Sequence, residues 1–324
     1  MINPKIYNKI VNTRAHKVAR KIHSAVFPFP KNWMDATGQT ANRLIKKMLL
    51  SEEPCLIARF GSIEIEAIMA YLHQDARMMP WERFYRFASW DVRYKGWKEP
   101  LKKKLANNAG FFPTDNDHLN RFAKLYLDLV PDIDIVGSWI HAETLLKDRM
   151  PNVQRIPLTD LEPYLNDTPW SKALEGRKVL VIHPFAESIQ NQHAKHTLLF
   201  NDPNVLPSFE LITLRAVQSA GENQVPFANW FTALESMKTE IDKMDFNTAI
   251  IGSGAYGLPL AAHIKAIGKQ AVHLGGATQM LFGVYGQRWL KDPLRTPLIN
   301  EHWIRPQPSE KMDNASSIEN GCYW

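Results

Sequence analysis

Short apolar runs rich in β-branched residues alternate along this chain with stretches of helical periodicity, and that alternation leaves few architectures open. Such runs stand at 55–60, 133–137, 178–183, 209–213, 248–251 and 270–274. Helical patterns fill 64–73, 119–129, 230–244 and 258–267. A strand that is apolar on both faces must be covered on both, and strands that each hand on to a helix pair in parallel. The reading is an α/β fold of Rossmann-like topology, a mostly parallel sheet with helices on both faces. Its ligand site is expected at the carboxyl edge of the sheet, where loops beginning near Arg59, Trp139, His183, Gly252 and Gly275 meet. With 324 residues, 45% of them hydrophobic, the chain can bury a substantial core.

Charge divides the chain into three parts. The first 34 residues carry Lys5, Lys9, Arg14, Lys17, Arg20, Lys21 and Lys31 and no acidic residue. Without these seven, 32 basic residues face 33 acidic ones, so the net charge of +6 belongs to the arm. That argues against a nucleic-acid partner, which a basic body would imply. Ile6, Ile10, Val18 and Ile22 recur near helical spacing among the cations. A basic helical arm (1–40) is expected, resting on an anionic membrane through residues 5–26 or packed as a leading helix. An α/β domain follows (41–305), then a polar, irregular tail (306–324). No apolar run is long enough to span a bilayer, and no secretory signal opens the chain. Two cysteines, Cys55 and Cys322, make no disulfide framework. The expected location is cytoplasmic, at the inner face of the membrane if the arm binds there.

Four motifs sit where strands end. Arg59-Phe60-Gly61-Ser62-Ile63-Glu64 follows one strand and opens a helix, so Arg59 can pair with phosphate oxygens while Gly61 lets the backbone approach closely. The same spacing also describes a plain helix start, with Ser62 as N-cap and Glu64 facing the helix dipole. Gly252-Ser253-Gly254-Ala255-Tyr256-Gly257 matches G-x-G-x-x-G between a strand and a helix. It reads as a phosphate- or sugar-facing loop, since the next strand ends in His273 rather than in the ribose-binding acid of an NAD enzyme. Gly275-Gly276, with Gln279 and Arg288 after them, reads as a second loop shaped around a ligand, its side chains able to hold hydroxyls or phosphate. His183-Pro184-Phe185-Ala186-Glu187-Ser188 places an imidazole and a carboxylate at another strand end. There His183 can accept a proton or stabilise a leaving group, with Glu187 facing the same cleft. Trp139, His141 and Glu143 form a weaker candidate of the same kind. Trp81 opens an aromatic, basic stretch able to wall a sugar, or equally to pack in a core.

The first motif resembles the Arg-Phe-Gly-Asp-Gly-Glu signature of GT-D glycosyltransferases. Arg59, Phe60, Gly61 and Glu64 match it; Ser62 and Ile63 replace the Asp and second Gly. The two later glycine loops also resemble the C-terminal half of those proteins. The resemblance implies transfer of a hexose from a nucleoside diphosphate sugar, a UDP-sugar first among them, to a hydroxyl of a glycan or lipid-linked acceptor in surface-polysaccharide synthesis. It implies diphosphate binding by Arg59, Gly61, Ser62 and the glycine loops, and catalysis by Glu64 or His183, with Trp139 and Trp81 toward the acceptor. Divalent metal (Mn or Mg) in that family goes with the Asp-x-Glu pair. With Ser62 in the Asp position, one hard oxygen ligand is gone and Glu64 alone remains. Two other readings stay open: an NAD(P)-dependent oxidoreductase using Gly252–Gly257, and a non-catalytic sugar-nucleotide-binding scaffold.

Overall fold

The structure, a computed structural model, describes residues 30, 32–74, 96–312, 314–315, 318 and 321–324. Residues 5–26 of the basic arm, and Trp81, lie outside the described residues. Seven strands form one sheet: β1 Cys55–Ala58, β2 Ile135–Ser138, β3 Gln154–Pro157, β4 Lys178–His183, β5 Glu210–Arg215, β6 Thr248–Ile251 and β7 Gln270–His273. Every pairing is parallel, in the order β3-β2-β1-β7-β6-β4-β5. The helices are α1 Gln39–Leu50, α2 Ser62–Leu72, α3 Glu99–Asn107, α4 Asn116–Leu129, α5 Ala186–His193, α6 Trp230–Ile241, α7 Gly257–Ala266 and α8 Ala277–Leu281.

Period-two burial divides the core. Leu56, Ala58, Leu180, Ile182, Ala249 and Ile251 point to one face, where α2, α3, α4, α6 and α7 cover them. Cys55, Ile57, Val179, Val181 and Ile250 point to the other, under α1, α5 and α8. The four central strands, β1, β7, β6 and β4, are buried along nearly their whole length, as apolar runs require. Because α2 lies deep in the first layer, it is buried almost all round: Ile63 through Ala70 are all buried, including Glu64 and Glu66. Glu66 is held by Lys104 of α3 at 2.8 Å.

The topology fixes where a ligand can enter. The connection leaving β4 runs outward to β5, while that leaving β6 runs the opposite way to β7. Loops after neighbouring strands therefore diverge between β4 and β6, and a crevice opens at their carboxyl ends. Register brings those ends level: Ile182 pairs with Ile251, and Ile251 with His273.

Both expected boundaries move. Trp33 is buried and its indole donates to Ser138 Oγ at 2.7 Å, so the fold begins before residue 40. Among the described residues of 306–324, Glu310, Met312, Ala315 and Ile318 are all buried, so the stretch is not a loose end.

Trp230 is the aromatic hub of the first layer. Its indole stacks on Tyr256 (4.8 Å, 8°) and meets Phe122 edge-on (5.2 Å). Its ring N–H is buried without a hydrogen-bond partner. Trp230→Ala is expected to lower unfolding free energy by about 3–5 kcal/mol, through cavity formation. Trp230→Phe is expected to cost about half of that or less, because no hydrogen bond is lost. Urea denaturation of both variants checks this; equal losses would contradict it.

Candidate functional site

One cavity of about 220 Å³ sits over the crevice, lined by residues from the ends of β1, β2, β4, β6 and β7. Arg59, Gly61, Ser62, Glu64, Trp139, His183, Gly252, Ser253, Gly254, Tyr256, Gly275, Gly276, Gln279 and Arg288 all reach it. Four separate sequence motifs are thereby joined at one place. Three expected residues are not. Glu187 is exposed and accepts a hydrogen bond from Ser309 Oγ (3.0 Å), away from the cavity. Ala255 is buried behind it, its carbonyl accepting from Tyr126 Oη at 2.6 Å. Gly257 lies beneath the His273 ring.

The glycines of these motifs mostly make room for the chain's own side chains. An added Cβ on Gly61 would fall 1.9 Å from Glu64 Oε2, so that carboxylate folds back over the turn opening α2. Gly61 itself is the N-cap and Ser62 the first helical residue, with no side-chain cap, contrary to the capping role expected of Ser62. A Cβ on Gly252 would meet the His183 ring at 2.6 Å, and one on Gly257 the His273 ring at 2.0 Å. Gly275, at φ +61°, passes beneath Arg59, whose Nη1 is 2.9 Å from the same imagined atom. Gly276 and Gly286 are shaped around Tyr323, which departs from the expectation of a loop shaped around a ligand.

Arg59 is half-buried between these loops. Its guanidinium carbon lies 4.9 Å from the Trp139 ring centre, and its Nε is sealed without a partner. Burial pushes its pKa below the ordinary value; Glu64 is the strongest influence the other way, and Arg288 adds to the burial effect. Arg288 in turn lies over Trp289 (4.7 Å) and Tyr323 (5.2 Å). Trp139 is fixed by its own indole, which donates to Phe60 O at 2.9 Å. The turn carrying it is fixed by Glu143, which accepts from the Ile140 amide (3.0 Å), the Trp139 amide (3.3 Å) and Ser138 Oγ. Burial lifts the Glu143 pKa to about 7 against those bonds. Glu143 is not among the cavity-lining residues; its part is positional.

His183 cannot serve as the proton acceptor proposed for it from sequence. Its Nδ1 accepts the Phe185 amide (2.9 Å), so the ring proton sits on Nε2 and the imidazole is a donor. Burial lowers its pKa to about 3. His273, which lines the same cavity, is the reverse tautomer: Nδ1 donates to Ile251 O at 3.3 Å, leaving Nε2 as acceptor. Burial first, and then Arg59, lower its pKa to about 3. Ser253 and Gln279 also line the cavity, and Ser253 Oγ and Gln279 Oε1 are buried without a partner.

Sequence reasoning missed His273, Ser219, Tyr323 and Trp324, all lining residues. His273 carried the same signal as His183, a histidine ending an apolar strand. The aromatic pair at 323–324 stood out only as rings in a polar stretch.

The residues present do not fit a divalent cation. Among the described residues Glu64 is the only carboxylate lining the cavity, and Arg59 acts on it. Among the described residues no three His, Cys, Asp or Glu side chains converge as metal ligands, whereas Mn²⁺ or Mg²⁺ takes several oxygens. The dinucleotide reading lacks its ribose anchor, because β7 ends in neutral His273 packed on Gly257. Comparisons with protein-family models, with curated proteins and with solved structures found no match.

Both imidazoles have folded-state pKa values of about 3, below the ordinary 6.5. As pH falls through that ordinary value the unfolded chain takes up the protons first, so each ring removes stability between pH 6.5 and about 3. The ring proton signals of His183 and His273 are expected to stay flat from about pH 8 to about pH 5 in an NMR titration. A midpoint near 6.5 for either would contradict the burial that keeps both rings neutral.

Proposed function

We propose that this chain is a glycosyltransferase that moves a hexose from a nucleoside diphosphate sugar, a UDP-sugar first, to a hydroxyl of a glycan or lipid-linked acceptor in surface-polysaccharide synthesis. One observation carries the reading: Arg59 and Arg288 line the same cavity with, among the described residues, one carboxylate, Glu64, and with the glycine loops beside them. Two guanidinium groups repel, and a ligand bearing two adjacent negative charges relieves that repulsion. The N-terminus of α2 adds amides that no side chain caps. The resemblance of Arg59–Glu64 to the GT-D signature points the same way.

In this reading Arg59, Arg288 and the amides of Ser253, Gly254 and Gly276 hold the diphosphate. The acceptor oxygen attacks the anomeric carbon of the hexose as the bond from that carbon to the diphosphate oxygen breaks. Glu64 takes the proton of the acceptor hydroxyl, and the diphosphate leaves with the bonding pair. His183 Nε2–H donates to the departing oxygen, and Gln279 Oε1 accepts from a sugar hydroxyl. Trp139, 42% exposed at the rim, offers a ring face to the acceptor sugar. Donors fixed before the reaction lower the barrier without reorganising. No step needs a metal ion. Residues 5–26 would hold the enzyme at the inner face of the membrane; among the described residues no helix is long and apolar enough to cross one.

Release of nucleoside diphosphate from a panel of UDP-hexoses, with a glycan acceptor pool, tests the reading. Glu64→Gln is expected to lower turnover about 10²- to 10⁴-fold while UDP binding and the fold persist. Arg59→Ala is expected to weaken UDP binding by about tenfold or more. Full activity in Glu64→Gln would remove the role of Glu64. UDP binding without turnover on any pair would favour a scaffold instead.

A further inference from the structure

The helix after β4 has lost its capacity for a ligand anion to the chain itself. The first free amides of α5, those of Glu187 and Ser188, donate to Glu310 Oε1 at 2.8 and 3.2 Å. Ser188 Oγ donates to Glu310 Oε2 and accepts the Gln307 amide at 2.9 Å. Glu310 is 1% exposed, so its charge is stabilised by the helix end and these donors rather than by water. A residue 123 positions away in sequence thus caps the helix. This is also why Glu187 misses the cavity: its backbone and its side chain both engage the 309–310 turn.

Beyond Glu310 the chain forms a wall of the cavity. Met312, Ile318, Tyr323 and Trp324 line it. Trp324 meets Phe185 edge-on at 5.5 Å, next to His183, and its indole N–H is sealed without a partner. Tyr323 lies under Arg288 and against Gly276. The Gln287 amide donates to Trp324 O and the Arg288 amide to Cys322 O, both at 3.0 Å. These two amides therefore report whether the wall is in place.

We propose that Glu310 is a positioning residue for the anion pocket: by clasping the 307–310 turn to α5 it seats Tyr323 and Trp324 beside Arg288 and His183, and ligand affinity depends on that seating. The affinity clause rests on the diphosphate-binding reading above. The clasp itself does not.

Hydrogen exchange of the full chain, read at the Gln287 and Arg288 amides, tests the clasp without any ligand. Glu310→Ala is expected to speed exchange at both by about tenfold, the scale of a lost helix cap. Glu310→Gln, which keeps an acceptor oxygen, should restore most of the protection. Calorimetric titration with UDP is then expected to show affinity weakened about tenfold in Glu310→Ala and largely rescued in Glu310→Gln. Ser188→Ala, which removes one donor and leaves the helix backbone intact, serves if Glu310→Ala fails to fold, and should raise exchange in the same direction. Unchanged exchange at Gln287 and Arg288 in a folded variant overturns the clasp. Faster exchange with unchanged UDP affinity overturns the link to the pocket. If wild type itself binds no UDP, inorganic pyrophosphate replaces it. Binding of neither defeats the diphosphate reading and the affinity clause, while the exchange result decides the clasp by itself.

Discussion

Arg59 is the charge around which this molecule is arranged. A guanidinium half-buried at the end of a central strand is costly, and its surroundings divide that cost. Glu64 supplies the nearest countercharge, Trp139 covers one face, and Gly275 vacates the space beneath it. Each of those neighbours needs its own support. Glu64 needs the bare turn at Gly61, and Trp139 needs the Phe60 carbonyl and the Glu143-bound turn. A second cation, Arg288, then stands close enough to oppose the first. Two cations so placed repel, and it is this repulsion that the proposed diphosphate would relieve.

The fold was open to inspection in the sequence because its central strands are buried on both faces. Strands β4 and β6 fall on their apolar runs residue for residue, at 178–183 and 248–251. Strand β3 did not show, since Gln154-Arg155-Ile156-Pro157 buries only Ile156 and sits at the sheet edge. Helix α1 carried a fair signal, Ala41, Ile45 and Leu49 at intervals of four, yet it was not among the helical stretches read from the sequence. The expected strand 55–60 ends at Ala58, with Gly61 already the N-cap of α2.

The site was legible in its strand-end motifs and not in its partners. A glycine in a sequence says that something comes close, without saying what. At Gly61, Gly252, Gly257 and Gly275 it is another site side chain; at Gly276 and Gly286 it is Tyr323 and its backbone. That pairing is long-range and leaves no local pattern. The protonation state of His183 was equally hidden, being set by the Phe185 amide two residues on. Glu187 misled for a related reason: its helix end was already filled by a carboxylate from far along the chain.

Binding of uridine, UMP and UDP to the wild-type chain by titration calorimetry probes the paired-arginine pocket most directly. The predicted result is a steep rise with phosphate count, UDP binding at least about tenfold more tightly than UMP and uridine hardly at all, with the preference falling as salt is raised. Equal affinity for all three, or no affinity for UDP, would contradict a diphosphate held between Arg59 and Arg288.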